Sequence, residues 1–416
     1  MTPGARLAAA AEILSDVLER RAAADRALQQ WGRTHRFAGS KDRAAIAERV
    51  FAVLRRLGEC EALAGSREGR ALVLASLAVI DQLGVDDVAR LATDGTHALG
   101  ALTPDERLRL AAPVAAPGAA LLNCPRWLLP LLQESLGDTM EAELSALALR
   151  APLDLRVNTL KASRESVMAE LRAAGHEPVA CARAATGLRL PAGGEARITT
   201  LACYLDGRVE VQDESSQLAV VFAAPAPGDT VIDLAAGAGG KALALAALMQ
   251  DRGRVLACDV SIDRLAALGP RRARSGSSII AIAGDPHGER IASLVPGGAD
   301  LVFVDAPCSG SGTWRRNPEA RWTLDPTRLA GYLQVQAQLL DRARALVAPG
   351  GRIVHAVCSV LKDEGPGQAA AFCARYPDWQ VTRELRLSPA STGTDGFYAA
   401  ELRSVGEVLA RATGGP

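Results

Sequence analysis

The apolar positions of this chain change their period twice along its length. Over residues 1–115 they recur at helical spacing. In 41–57, KDRAAIAERVFAVLRRL, the residues Ile46, Val50, Val53, Leu54 and Leu57 share one face, and Ser40 stands where an N-cap is wanted. A second helix is expected over 69–82, apolar enough to be central in a bundle, with Gly65-Ser66 and Gly84 as breaks. Residues 112–119, APVAAPGA, read as a linker, and 124–150 as one or two helices starting near Pro125-Arg126-Trp127. The pattern then mixes: a strand at 153–157, an amphipathic helix at 163–174 ending at Gly175, and strand-like pieces at 187–190 and 208–211. That mixture is a small α+β unit. From 228 onward, strands (230–235, 254–259, 278–284, 300–305, 351–357) alternate with helices (240–250, 262–274, 326–347). Such alternation predicts an α/β fold with a doubly wound, Rossmann-like parallel sheet.

Composition narrows the partners. A chain of 416 residues with 49% apolar side chains holds two or three domains. Its 47 acidic and 47 basic residues balance, so a nucleic-acid surface would come from local segregation of charge. One candidate is the run Arg20, Arg21, Arg26, Arg33, Arg36, Lys41 and Arg43 in the helical region, which reads equally as solvated helix faces. Another is Arg156, Asn158 and Lys161, either phosphate contacts or solubilisers of an edge strand. The 8 cysteines lack the paired short spacings of a zinc site, so no metal is expected. No signal peptide is visible and no apolar run approaches the ~20 residues that span a bilayer. The expectation is a cytoplasmic protein with reduced thiols and no membrane partner.

The chemistry concentrates in residues 299–322, ADLVFVDAPCSGSGTWRRNPEARW. Leu301–Val304 is an apolar run expected to be a strand buried on both faces, and Pro307 ends it. Asp305 and Cys308 then sit at the carboxyl end of a buried strand, the edge where open α/β sheets bind ligands. Beside them a Ser/Gly loop, expected to be flexible, carries Trp314, Arg315 and Arg316. A glycine-rich turn follows the first strand of the sheet: Ala235-Ala236-Gly237-Ala238-Gly239-Gly240-Lys241. It is not a Walker loop, because Lys241 is followed by Ala242. Nor does it fit a dinucleotide fingerprint, where the position of Ala242 needs glycine. S-adenosyl-L-methionine remains, its carboxylate suited to a helix N-terminus. Asp259 at the end of strand two is expected to accept the ribose hydroxyls, and Asp285 after strand three an adenine amino proton. Cys358 ends strand five, fifty residues beyond Cys308. Strands four and five are usually neighbours, so both thiols are expected to face one cavity. Cys60, Cys124, Cys181, Cys203, Cys258 and Cys373 read as ordinary buried thiols.

These motifs, in this order, resemble the Sun/Fmu-type RNA cytosine carbon-5 methyltransferases. The resemblance rests on Val211–Ser216, on Asp233–Lys241, and on Asp305-Ala306-Pro307-Cys308-Ser309-Gly310 with Arg315-Arg316-Asn317-Pro318. Cys358-Ser359 and Thr394–Tyr398 complete it, and the helical N-terminus resembles a NusB-like RNA-binding domain. The chain departs from the family at Ala235, Gly237, Ala238 and Ala242 in the cofactor loop. It also has Val357 where threonine is usual, and an acidic run shortened to Asp363-Glu364.

The resemblance implies a NusB-like domain at 1–115, linker helices with a small α+β RNA-binding unit at 120–215, and a methyltransferase domain at 216–408. It implies S-adenosyl-L-methionine as cofactor, held by residues 235–241 with Asp259, Asp285 and Asp305. The substrate would be an RNA cytosine, unstacked and most readily ribosomal, and the protein a monomer. Either thiol suits nucleophilic addition on residue chemistry alone. By resemblance Cys358 attacks carbon 6, Cys308 assists release, and Asp305 holds the base edge, with Trp314, Arg315 and Arg316 positioning RNA, although Trp314 reads equally as a packed loop anchor. Two other classes stay open: an inactive RNA-binding assembly factor on the same fold, and a small-molecule or protein methyltransferase, which would need neither thiol.

Overall fold

The structure is a computed structural model that describes residues 1–112, 123–191, 198–284 and 289–406, with the backbone alone at 282–284 and 289. Contacts divide the chain into two units: residues 1–150 with 313–325, and 151–312 with 326–416. The expected linker at 112–119 lies almost wholly outside the described residues, as does Asp285. By contacts, residues 124–150 cluster with the helices before them.

The first unit is helical. Gly69–Val79 is its centre, with Leu72, Val73, Leu74 and Leu77 buried against Ile13, Leu14, Val50 and Leu54. A side chain at Gly69 would put its Cβ 2.0 Å from the Ala11 carbonyl oxygen, so glycine permits this approach. The helix expected at 41–57 runs Ser40–Arg55, with Gly39 at the N-cap position and its N–H donating to Asp42 at 3.2 Å. Ser40 is therefore the first helical residue and not the cap. The Trp-Arg-Arg loop expected to be flexible is a built part of this unit. Trp314 is fully buried and the Arg321 guanidinium stacks 4.6 Å from its ring centroid. Arg321 donates to the carbonyls of Asn123 and Leu147, and Arg55 donates to that of Arg315 at 2.9 Å. Trp322 donates its indole N–H to the Leu54 carbonyl at 2.9 Å. Trp314 is thus a packing anchor, not a base platform, and the Arg315 side chain is buried with it.

The second unit holds two sheets. Strands β1 (Leu153–Val157), β2 (Val179–Ala180), β3 (Gly187–Leu190) and β4 (Val209–Val211) form an antiparallel sheet in the order β2-β3-β1-β4. Because β1 is internal, Arg156 is not an edge solubiliser. It is buried and donates to Gln212 at 2.7 Å, while Asn158 bonds the carbonyls of Gly207 and Ser275. Lys161 likewise spends its ammonium on the carbonyls of Asp206 and Arg274.

The larger sheet contains β5 (Thr230–Asp233), β6 (Arg254–Asp259), β7 (Ile280–Gly284), β8 (Ala299–Asp305), β9 (Val347–Val357), β10 (Trp379–Leu387) and β11 (Phe397–Ser404). Their order is β10-β11-β9-β8-β5-β6-β7, parallel from β9 to β7, with β10 and β11 antiparallel at one edge. This is the expected Rossmann-like α/β sheet. Leu301 to Val304 are completely buried, as a strand covered on both faces must be. The helix expected at 262–274 is two, Ile262–Ala266 and Leu268–Ser275, and Pro270 falls in the first turn of the second, where a missing N–H costs least. The helix Pro326–Leu346 forms as read, but β9 begins directly after it, with a register shift against β8. No helix among the described residues is long and apolar enough to cross a membrane.

Candidate active site

Strands β5, β6 and β8 lie side by side and deliver Asp233, Asp259 and Asp305 to one edge of the sheet. The turn after β5 is shaped by glycine. Gly237 and Gly239 have φ of +53° and +79°, and a Cβ on Gly239 would lie 2.2 Å from Leu268. The Gly237 N–H donates to Asp259 at 2.8 Å, and the other Asp259 oxygen accepts from Ser261 N–H at 2.8 Å. Asp259 therefore braces the turn as well as standing at the expected ribose position. Arg271 holds the turn from outside, donating to the Ala238 carbonyl at 2.6 Å while pairing with Glu210 at 2.8 Å. Neither residue was singled out by sequence, since a lone arginine on a helix and a lone glutamate on a strand carry no motif.

Lys241 enters from the start of the helix Gly240–Leu248 and reaches Asp305 at 2.7 Å. Burial opposes the charge on Lys241, but the Asp305 carboxylate outweighs it and the ammonium is held more firmly than usual. Asp233 is different. It is fully buried and neither oxygen has a hydrogen-bond partner of normal geometry. Burial first, then the negative charge of Asp305, push its carboxyl up to about 8, against the opposing pull of Lys241. A turn in which Gly239 leaves no room for a side chain, next to a buried carboxyl with no side-chain hydrogen-bond partner, fits a small ligand bearing a cationic amino group.

The two thiols meet. β8 and β9 are adjacent and parallel with Asp305 opposite Ala356, so Cys308 and Cys358 leave the sheet together. Their sulfurs are 3.4 Å apart and both are half-buried. The neighbouring Cys358 sulfur, then burial, push the Cys308 thiol well above the usual range. The other cysteines are buried, apart from the half-buried Cys373. Among the described residues no group of three or more His, Cys, Asp or Glu side chains is arranged to hold a metal ion.

A further acid, Glu364, sits directly behind the two thiol loops. It accepts the Ser309 N–H at 2.7 Å and the Ser359 hydroxyl at 2.6 Å. Sequence had noted it only as the remnant of an acidic run.

Comparison with known proteins identifies a family. Residues 220–403 match the 16S rRNA methyltransferase RsmB/F family, and residues 124–196 the ferredoxin-like domain of RsmF/B-like methyltransferases. The chain is 33% identical over 300 residues to a probable ribosomal RNA small subunit methyltransferase B from Synechocystis, a match covering 67% of this chain and 66% of that protein. A similar match, 33% over 291 residues, is made to ribosomal RNA small subunit methyltransferase B of Citrobacter koseri, again over 66% of its length. Curated relatives are thus matched over just under two thirds of their own length. Among solved structures, PH0851 superposes with a TM-score of 0.76 at 26% identity, covering 97% of this chain and 99% of that one. On these matches the chain belongs to the RsmB/F methyltransferase family.

Proposed function

We propose that this protein methylates carbon 5 of a cytosine in RNA, with ribosomal RNA the substrate, through a covalent adduct between Cys358 and carbon 6 of the base. The reading is carried by one observation: the sulfurs of Cys308 and Cys358, fifty residues apart in the chain, lie 3.4 Å from each other at adjacent strand ends. A methyltransferase acting on a nucleophilic nitrogen or oxygen would need neither thiol. The family match and the ribosomal RNA methyltransferases among its relatives support RNA as substrate.

Carbon 5 of cytosine is a poor nucleophile until a thiolate adds at carbon 6 and turns the ring into an enamine. The two sulfurs are 3.4 Å apart, close enough for one to hydrogen-bond the other, and Cys358 takes the attacking role by the resemblance of Cys358-Ser359 to the block that carries the family's nucleophile. Asp305 holds the N3/N4 edge of the base and, by sharing a proton with N3, offsets the negative charge that builds there on addition, while Lys241 keeps its carboxyl group oriented. S-adenosyl-L-methionine, when bound, supplies the methyl group. The turn 235–241 would hold its carboxylate end, Asp233 its amino group and Asp259 its ribose. After transfer the Cys308 sulfur, as its thiolate, takes the carbon 5 proton, and the electrons of that C–H bond re-form the C5–C6 double bond and expel the Cys358 thiolate. The base has to leave its stack to reach the thiol, so the target lies in a loop, a bulge or a flipped-out position.

Incubation with RNA and methyl-labelled cofactor tests this. Wild type is expected to label RNA, Cys358→Ala to label none, and Cys308→Ser to leave a protein–RNA adduct that survives denaturing gels. Cofactor binding without transfer to any RNA would favour an assembly factor on the same fold. Equal labelling by Cys358→Ala would refute the covalent route.

A further inference from the structure

We infer that Glu364 is the positioning residue that locks the two thiol loops together, and that the 3.4 Å sulfur contact depends on its carboxylate. The inference rests on the proposed roles of Cys308 and Cys358 and names what holds them in place. Glu364 is fully buried and follows β9 by seven residues. Each of its oxygens receives two donors. One accepts the Ser309 N–H at 2.7 Å and the Gln336 amide at 3.2 Å; the other accepts the hydroxyls of Ser309 and Ser359, the latter at 2.6 Å. Ser309 directly follows Cys308, and Ser359 directly follows Cys358. A single side chain therefore grips the residue next to each sulfur.

The surroundings extend this grip. Ser311 and Ser359 exchange a hydroxyl bond at 2.8 Å, and the Ser311 oxygen accepts the Val360 N–H at 3.0 Å. The Gly312 N–H donates to the Cys358 carbonyl at 3.1 Å. His355 donates its Nε2–H to the Glu364 carbonyl at 2.9 Å, fixing the backbone of the acid itself. Gln336 also bonds the Pro307 carbonyl at 2.9 Å, just ahead of Cys308.

Two N–H groups and two hydroxyls converge on the Glu364 carboxyl group, and an ionised carboxylate, with four lone-pair sites, accepts from all four. A glutamine would turn its NH₂ toward one pair, where only the hydroxyls could accept. None of the four donors is a cation, so the carboxylate is not there to neutralise charge. Burying it without an ion partner is costly, and a pair of serines bonded to each other would close the loops more cheaply. What the carboxylate adds is a bond from one rigid point to both loops at once.

The test uses full-length protein and two readouts. Dibromobimane bridges two thiols only when they are close, each sulfur displacing one bromide, and fluoresces on bridging. Wild type is expected to bridge rapidly, with Cys308→Ser giving the background. Glu364→Ala is expected to bridge at least tenfold more slowly and Glu364→Gln to fall between. Methyl transfer to RNA in Glu364→Ala is expected to drop at least a hundredfold in kcat, with KM for RNA and cofactor affinity within twofold of wild type. Should Glu364→Ala not fold, Ser359→Ala removes one of the four donors and is expected to slow bridging severalfold. Wild-type bridging rates in Glu364→Ala, or in Ser359→Ala as its substitute, would overturn the inference. Bridging does not require methyl transfer. Loss of bridging in a protein whose wild type labels no RNA would support the clasp while refuting the proposed function.

Discussion

Replacing Asp233 by asparagine removes a titrating carboxyl and changes little else in shape. The magnitude follows from its burial. An aspartate in the unfolded chain loses its proton near 3.8, whereas here burial and the neighbouring Asp305 hold it to about 8. Between those values unfolding releases a proton, so raising the pH favours the unfolded chain. The sign is therefore a loss of stability as pH rises, at about 1.4 kcal/mol per pH unit, levelling off above 8. From pH 5 to pH 9 wild type should lose about 4 kcal/mol relative to Asp233→Asn, an upper figure because local opening relieves part of it. The assay is urea denaturation of both proteins, without ligand, at one-unit pH steps, comparing the difference between them so that all other titrations cancel. Parallel curves, within about 1 kcal/mol over that range, would refute the claim that Asp233 is buried without a partner. If the carboxyl serves the amino group of the cofactor, saturating S-adenosyl-L-methionine should flatten the wild-type curve and leave the variant's slope unchanged.

Three other substitutions and one titration probe the rest of the frame. Gly312→Ala would drive a Cβ to 2.0 Å from the Gly396 carbonyl oxygen, so it should destabilise by about 1–3 kcal/mol and lower activity, both checked on purified protein. Gly331→Ala, exposed in the helix Pro326–Leu346 with nothing near its Cβ position, should instead stabilise by about 0.5–1 kcal/mol, read as a higher urea midpoint. Trp314→Ala should cost about 3–5 kcal/mol and, by removing the face on which Arg321 stacks, destabilise the helical unit first, visible as faster hydrogen exchange in Gly69–Val79. Glu401 resists protonation in the fold: burial opposes its charge, but hydrogen bonds from Arg403 at 2.8 Å and Arg383 at 2.6 Å overcome this and lower it to about 2. Its contribution, at most about 3 kcal/mol, is present above pH 4.5 and lost as pH falls toward 2, so Glu401→Gln should show a shallower acid limb in thermal unfolding.

The parts of the site that rest on backbone pattern were legible in the sequence. An unbroken run such as Leu301–Val304 ending at a proline has few interpretations, and the adjacency of β8 and β9 follows from the usual winding of such sheets, so the meeting of the two thiols was expected. Side-chain environments were not legible. Trp314, Arg315 and Arg321 sit in a Ser/Gly/Arg-rich stretch that looks solvated, yet carbonyls of Arg315, Asn123 and Leu147 receive arginine side chains. Distant carbonyls leave no trace in local composition. The same holds for Lys161 and Asn158, which bond backbone atoms more than a hundred residues away. Asp233 looked like one member of a loop motif because isolation from partners is a property of packing alone.

The separation between what the backbone fixes and what single side chains fix bears on the reaction. Sheet register sets where the two thiol loops start, Asp305 opposite Ala356 and Val357 paired with Tyr398, but past Asp305 and Val357 neither loop has a ladder to hold it. A strand end fixes a residue; two or three residues later the chain has enough freedom to separate the sulfurs by several ångströms. The proposed addition at carbon 6 and release by a second sulfur would need both groups within reach of one base, where misplacement by about 1 Å costs on the order of a hundredfold in rate. Hydrogen bonds at Ser309 and Ser359 supply that constraint, and Lys241 supplies it for Asp305. The departures from the family in the glycine turn leave all of these residues in place. Changes such as Ala235 and Ala242 should therefore alter cofactor affinity more than the rate of addition, a difference that separate measurement of cofactor binding and single-turnover methylation would resolve.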